Sequence, residues 1–385
     1  MMFKIAPYNI ATAQLALKEK VGQLFMPAAF INDTEDEIQE LEKLIATHHI
    51  GGLCFFHSRA SAATNFEGKK KIVYNEQSLT TLKYLILRYQ NAAKYPLLIS
   101  IDAEWGLAMR IENTPQYPYA ITLGAIQNKE DLIFKVGQQI AIDCRKAGIH
   151  WNLAPVVDIN NNPNNPVIGY SVGVLSCIKH FPGHGDTATD SHLGLPIITK
   201  SKEALIENEL YPFRETIRQG VDSVMVGHLS IPALDNGVGT PATISKTIIT
   251  GLLRNELNFK GVVISDALNM HSVSQMFPEK GELEWRAFDA GNDILCFAEN
   301  TEAGIQKIMG NADPIEIEEH FKRVWKLKEQ AFAPYTLPST HQEATSFLNQ
   351  QLAQESLTLL TGSDKIINDF KREGFKCLSF GEPTN

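Results

Sequence analysis

The sequence predicts an α/β fold, a (β/α)8 TIM-like barrel, and three observations carry that expectation. Eight short apolar runs of strand character recur along the 385 residues, at 24–29, 52–56, 97–101, 151–157, 174–178, 221–226, 262–265 and 293–297. Most are apolar throughout rather than alternating, as parallel strands covered on both faces require. Helical stripes separate most of them, and ionisable residues follow the runs: Asp102, Asp158, Lys179-His180, His228 and Asp266. A parallel barrel gathers the C-terminal ends of its strands on one face, so these groups should converge there. A doubly wound open sheet is the runner-up, but no Gly-x-Gly-x-x-Gly follows the first run.

Each connecting element has its own signal. Thr34-Glu35-Asp36-Glu37 is a capping box, followed by Ile38, Leu41 and Ile45 on one helical face. Leu82, Leu85, Tyr89 and Ala93 make the next stripe, and Ile133, Val136, Ile140, Cys144 and Ala147 another. After Ser201 come Leu205, Phe213 and Ile217, with Pro212 read as a kink. Ser245 should cap a helix carrying Ile248, Leu252 and Leu253, and the stretches 283–290 and 303–309 complete the alternation.

One connection breaks the pattern. Residues 159–173 are rich in Asn, Pro and Gly and hold no helical stripe, whereas parallel neighbours usually cross over through a helix. One crossover helix is therefore expected to be lacking. Apolar faces of the flanking strands should lose cover, at a cost of several kcal/mol for a few hundred Å² at about 25 cal/mol per Å². The barrel is assigned to 1–333, a linker to 334–340, and the incomplete start of a second α/β domain to 341–385. That last stretch reads as a polar helix (341–354), a strand (357–360), a helix from Lys365 and a strand (375–380).

Composition narrows the function. The chain is 44% hydrophobic and 21% charged, ordinary for a globular protein with a large core. A net charge of −9 argues against nucleic acid or an anionic membrane surface as partner. The five cysteines are scattered and odd in number, and read as reduced core residues. The N-terminus lacks the apolar core of a signal peptide, so a cytoplasmic location is expected, or a periplasmic one if the natural N-terminus lies further upstream.

Chemistry concentrates in Lys179-His180-Phe181-Pro182-Gly183-His184-Gly185-Asp186-Thr187-Ala188-Thr189-Asp190-Ser191-His192, which holds three His and two Asp. Three readings compete: a polar loop, a metal site built from His180, His184, Asp186 and His192, and acid–base chemistry with sugar binding. Zinc helices need an unbroken turn between their ligands, which Pro182-Gly183 denies, so no metal is assigned. Asp266 follows a buried strand, where a nucleophile or charge stabiliser is rigidly held. His192 titrates near neutrality, and Asp190 can orient its ring.

Lys179-His180-Phe181-Pro182-Gly183-His184-Gly185 with Asp190-Ser191-His192, then Ile264-Ser265-Asp266-Ala267-Leu268-Asn269-Met270, then Asp102 with Arg110, resemble family 3 glycoside hydrolases of the β-N-acetylglucosaminidase branch. The likeness runs from about Val21 to Lys328. It implies that Asp266 is the nucleophile of a covalent glycosyl-enzyme, His192 the acid/base and Asp190 its partner. It also implies that Asp102, Arg110, Lys179 and His180 bind the sugar, that no cofactor is used, and that β-linked N-acetylglucosamine, as in muropeptide fragments, is the substrate. After Gly169 the family continues with an Arg-containing segment that this sequence lacks. A phosphorylase and a non-catalytic sugar-binding barrel are the alternative functions, and oligomeric state is left open.

Overall fold

A computed structural model of the chain describes residues 4–58, 74–158, 174–185, 194–235, 239–335 and 345–357. Among the described residues nine parallel strand segments make the barrel wall: β1 (Phe25–Met26), β2 (Ala28–Phe30), β3 (Gly52–Phe56), β4 (Leu98–Ile101), β5 (Trp151–Asn152), β6 (Leu175–Phe181), β7 (Ser223–Val226), β8 (Val262–Ser265) and β9 (Leu295–Cys296). β2 to β8 lie side by side in sequence order, and β1 pairs with β9. β1 and β2 are one barrel strand interrupted at Pro27, whose carbonyl still accepts from Cys54 N at 3.1 Å. A parallel Ile264–Ile294 bridge ties β8 to the segment entering β9, and so closes the ring.

The helical layer follows the sequence stripes. Helix Glu35–His48 opens with both halves of the Thr34/Glu37 capping box. Helices Ser78–Ala92, Glu130–Ala147, Glu282–Ala290 and Thr301–Asn311 bury the predicted apolar faces. Ser245 Oγ accepts from Ile248 N at 3.1 Å, and the following helix, Thr247–Glu256, winds with π-type hydrogen bonds. The expected kink at Pro212 is corrected: the break falls at Asn208-Glu209, and Pro212 sits in the first turn of a new helix, Leu210–Arg218. There a proline's missing N–H costs nothing.

The expected loss of cover beside the anomalous connection is also corrected. β5 and β6 pair in parallel, Trp151 with Leu175 and Asn152 with Ser176. Trp151, Leu153, Val174, Leu175, Cys177, Ile178 and Phe181 are all buried. Trp151 Nε1 donates to Ser223 Oγ at 3.0 Å, two strands away, so its indole points into the barrel and needs no outer helix. The connection itself, 159–173, lies outside the described residues, as do the expected strand and helix beyond 357.

The helix read at 341–354 is observed as Thr345–Glu355. It docks on the barrel: Leu348 and Leu352 are buried in the main core, Asn349 Nδ2 donates to Gln116 O at 2.8 Å, and Lys129 meets Glu355 at 2.6 Å. At the N-terminal end of the strands Asp293 is fully buried. Arg254 Nη2 (2.5 Å), Arg323 Nε (2.7 Å), Val263 N (2.8 Å) and the His320 ring (2.8 Å) surround its two oxygens.

Candidate active site at the C-terminal face

Each ionisable strand end now has a place. Asp102 leaves β4 on a turn fixed by Asn152 of β5, whose side chain accepts from Ala103 N (3.0 Å) and donates to Ala103 O (3.2 Å). Lys179, near the end of β6, is buried and donates to Asp102 Oδ1 at 2.8 Å. It also meets Glu104 Oε1 at 2.8 Å. Arg110 Nη2 donates to Asp102 Oδ2 at 3.0 Å, while its guanidinium lies 5.4 Å from the Phe56 ring. Burial alone would raise the Asp102 pKa, but Lys179 and Arg110 outweigh it and hold the carboxyl well below the usual range. Lys179 is shifted the other way: burial opposes its charge, and Asp102 with Glu104 more than restores it.

His180 stands on the next position of β6. Asp158 Oδ2 accepts from its Nδ1 at 2.8 Å and Asp158 also accepts from the backbone N–H groups of His180 and His184. That carboxylate fixes the imidazole with its Nε2 edge free of the Asp158 contact. Burial works against a charged His180, but the hydrogen bond to Asp158 and the charges of Asp158 and Asp266 raise its pKa.

Asp266 leaves β8 with one carboxylate oxygen accepting from Ala267 N at 2.8 Å and its own N–H donating to Val226 O at 2.9 Å. It is partly exposed. Burial pushes its pKa up, and the charges of His228 and His180, the Ala267 hydrogen bond and the charge of Lys179 together take it below the ordinary value. It is therefore an ionised carboxylate at neutral pH, as a nucleophile requires.

Asp102, Arg110, Lys179, His180 and Asp266 thus share one face and one electrostatic network. His192 and Asp190 lie outside the described residues. Asp158 and His228 were visible as strand ends but not nominated as site residues from sequence, and Glu104, two residues past Asp102, was not singled out. Their signal was position alone, because a carboxylate at a strand end caps loops as readily as it binds ligands. Asn152 carried no signal at all.

The family profile of the glycosyl hydrolase family 3 N-terminal domain matches residues 16–172 and 170–327. The chain belongs to glycosyl hydrolase family 3. The two matched stretches of this family 3 chain overlap at 170–172, within the connection 159–173 that lies outside the described residues. A β-hexosaminidase A from Pseudoalteromonas piscicida is 35% identical over 292 residues, 66% of this chain and 47% of that protein. A β-N-acetylglucosaminidase/β-glucosidase from Cellulomonas fimi is 28% identical over 361 residues, 84% of this chain and 59% of that one. The chain therefore spans roughly half the length of these relatives. Among solved structures, a family 3 β-N-acetylglucosaminidase from Paenibacillus sp. str. FPU-7 superposes with a TM-score of 0.73 at 33% identity, covering 91% of this chain and 70% of that one. No helix among the described residues is long and apolar enough to cross a membrane.

Proposed function

We propose that this chain carries the catalytic barrel of a retaining β-N-acetylglucosaminidase that removes terminal β-linked N-acetylglucosamine, muropeptide fragments being the substrate class. The observation that carries the reading is the ionised Asp266 carboxylate at the end of β8, faced by His228, His180 and Lys179 in a family 3 barrel. Asp266 attacks the anomeric carbon as the glycosidic bond breaks, forming a covalent glycosyl-enzyme. His192, oriented by Asp190, gives its proton to the departing oxygen and then takes one from the water that cleaves the intermediate. Asp102 and Arg110 present an acceptor and donors to the sugar hydroxyls, and Lys179 and His180 add donors. The similarity of the relatives' names supports the sugar specificity.

The test is turnover of an aryl β-N-acetylglucosaminide beside the matching aryl β-glucoside, each with and without inorganic phosphate. The reading expects preference for the N-acetyl sugar and free N-acetylglucosamine as product in both buffers. Product appearing as a sugar phosphate would make phosphate the acceptor, and binding without release would make the barrel non-catalytic.

A further inference from the structure

Arg110 differs from the other sugar-binding candidates in standing well past the end of its strand, eight residues beyond Asp102. It follows the short 3-10 turn Leu107–Met109, with its N–H donating to Leu107 O at 2.9 Å. Two successive residues at the end of β3 act on this segment. The Phe56 ring lies 5.4 Å from the Arg110 guanidinium. His57 Nε2 lies 2.5 Å from Glu112 Oε1, and the same oxygen accepts from Asn75 N at 3.0 Å. Burial alone would raise the Glu112 pKa, but its hydrogen bonds, that of the Asn75 N–H foremost, take it below the ordinary value. The carboxylate is therefore ionised at neutral pH and can only accept, so His57 Nε2 donates. That bond is made equally by a neutral or a charged ring. Both side chains are largely enclosed, with 9% of the His57 surface and 14% of the Glu112 surface exposed. A charge-assisted hydrogen bond is strong in such surroundings. Asn113, in the left-handed region at φ 57°, accepts from Tyr74 OH at 3.0 Å. Asn75 Nδ2 donates to Asn32 Oδ1 at 2.9 Å, which ties the same knot to the chain beyond β2. Arg110 thus pairs with Asp102, while the carboxylate two residues further on is engaged by His57 and Asn75.

We propose that His57 and Glu112 are positioning residues for Arg110: their hydrogen bond fixes the chain just past it, so that its guanidinium, supported by Phe56, meets the sugar in one geometry. The 3-10 turn holds Arg110 from its N-terminal side, and the His57–Glu112 clamp holds it from the other. Neither clamp residue touches Asp266, so the pair acts on binding of the sugar rather than on bond cleavage. The inference rests on the proposed role of Arg110 as a sugar ligand.

The experiment measures KM, kcat and melting temperature of full-length variants on an aryl β-N-acetylglucosaminide. His57→Leu keeps an apolar body of similar size and removes the donor. It should raise KM about fivefold and leave kcat within about twofold, as a displaced binding group does. His57→Gln, whose amide can donate to Glu112, should bring KM back to within about twofold of the wild type. Glu112→Ala removes the other partner and should match His57→Leu, so either variant carries the test if the other does not fold. Arg110→Ala should raise KM about tenfold or more. In Arg110→Ala/His57→Leu the KM should equal that of Arg110→Ala alone, because the clamp acts only through Arg110. Any fall in melting temperature caused by His57→Leu should persist in that double variant, which separates positioning from packing. KM losses that multiply in the double variant, or a folded His57→Leu or Glu112→Ala with wild-type KM, overturn the inference. The two readings fail separately: an unchanged KM in Arg110→Ala sinks the role of Arg110, whereas a raised KM there with multiplying losses sinks only the clamp.

Discussion

Two buried charge clusters stand at opposite ends of this barrel. At the N-terminal end of the strands, Asp293 is sealed among Arg254, Arg323, His320 and the Val263 N–H, with no exposed carboxylate surface. At the C-terminal end, Asp102 is likewise held by Lys179 and Arg110, yet Arg110 keeps 19% of its side-chain surface, Glu104 29% and His180 24%. Among the described residues Arg110 Nε, a buried atom, has no hydrogen-bond partner. The chemistry of the two clusters is alike, carboxylates pinned below their ordinary pKa by cations, but the Asp293 side chain is wholly enclosed whereas that of Asp102 keeps 13% of its surface. A charge cluster that leaves donors and acceptors unused toward the mouth of a barrel is one that can take a ligand.

The largest expected contrast comes from neutralising one carboxylate at each end. Asp266→Ala should lower turnover by about 10⁴-fold or more, since the nucleophile's removal forfeits the covalent route. Its melting temperature should hardly move. Asp293→Asn should do the reverse. Leaving Arg254 and Arg323 without their shared anion costs about 3–5 kcal/mol of stability, and activity per folded molecule should be unchanged. Calorimetry and kinetics on the same two samples decide it, and equal effects on both readouts at both ends would erase the distinction.

Next in size is the His192–Asp190 dyad. His192→Ala should slow substrates with poor leaving groups by about 10²–10⁴-fold, and activated aryl glycosides far less, because only the former need protonation. Adding Asp190→Ala should cost little more, since residues acting as a unit are not additive. Lys179→Met sharpens the comparison within the upper cluster. It removes the cation shared by Asp102 and Glu104, so KM should rise about tenfold or more, the equivalent of one charge-assisted hydrogen bond. The smallest effect is on acid stability. Asp293 has a depressed folded-state pKa, so its contribution is whole above about pH 4 and is lost as the pH falls through its folded value. Melting temperature measured from pH 5 down to pH 2 should fall less steeply in Asp293→Asn than in the wild type.

Much of this architecture was legible because barrel strands and helices write strong periodic signals. β3 and β8 begin and end where the apolar runs 52–56 and 262–265 do, and Thr34 caps its helix as the capping box requires. The break at Asn208-Glu209 was not legible, because proline is as acceptable in a first turn as it is disruptive inside a helix. The cover of β5 and β6 was misjudged for a related reason. Counting apolar residues on a strand does not say which of them face the barrel interior, and Trp151 does. At the site, Asp102, Lys179, His180 and Asp266 stood out by residue type and strand-end position, whereas Arg110 entered only through the family resemblance. Asp158 and His228 hold their neighbours from beneath, and their importance lies in hydrogen-bond partners drawn from β6 and β8, far away in sequence.

The central claim, that the open cluster at the C-terminal face is a glycosidase site with Asp266 as nucleophile, is tested most directly by covalent trapping. The chain is incubated with an activated fluorinated N-acetylglucosamine analogue, digested, and mapped by mass spectrometry. The account predicts one adduct of the sugar's mass on the peptide containing Asp266, absent from Asp266→Ala. An adduct on Asp102, Glu104, Asp158 or any other carboxylate, or turnover persisting in Asp266→Ala, would contradict it.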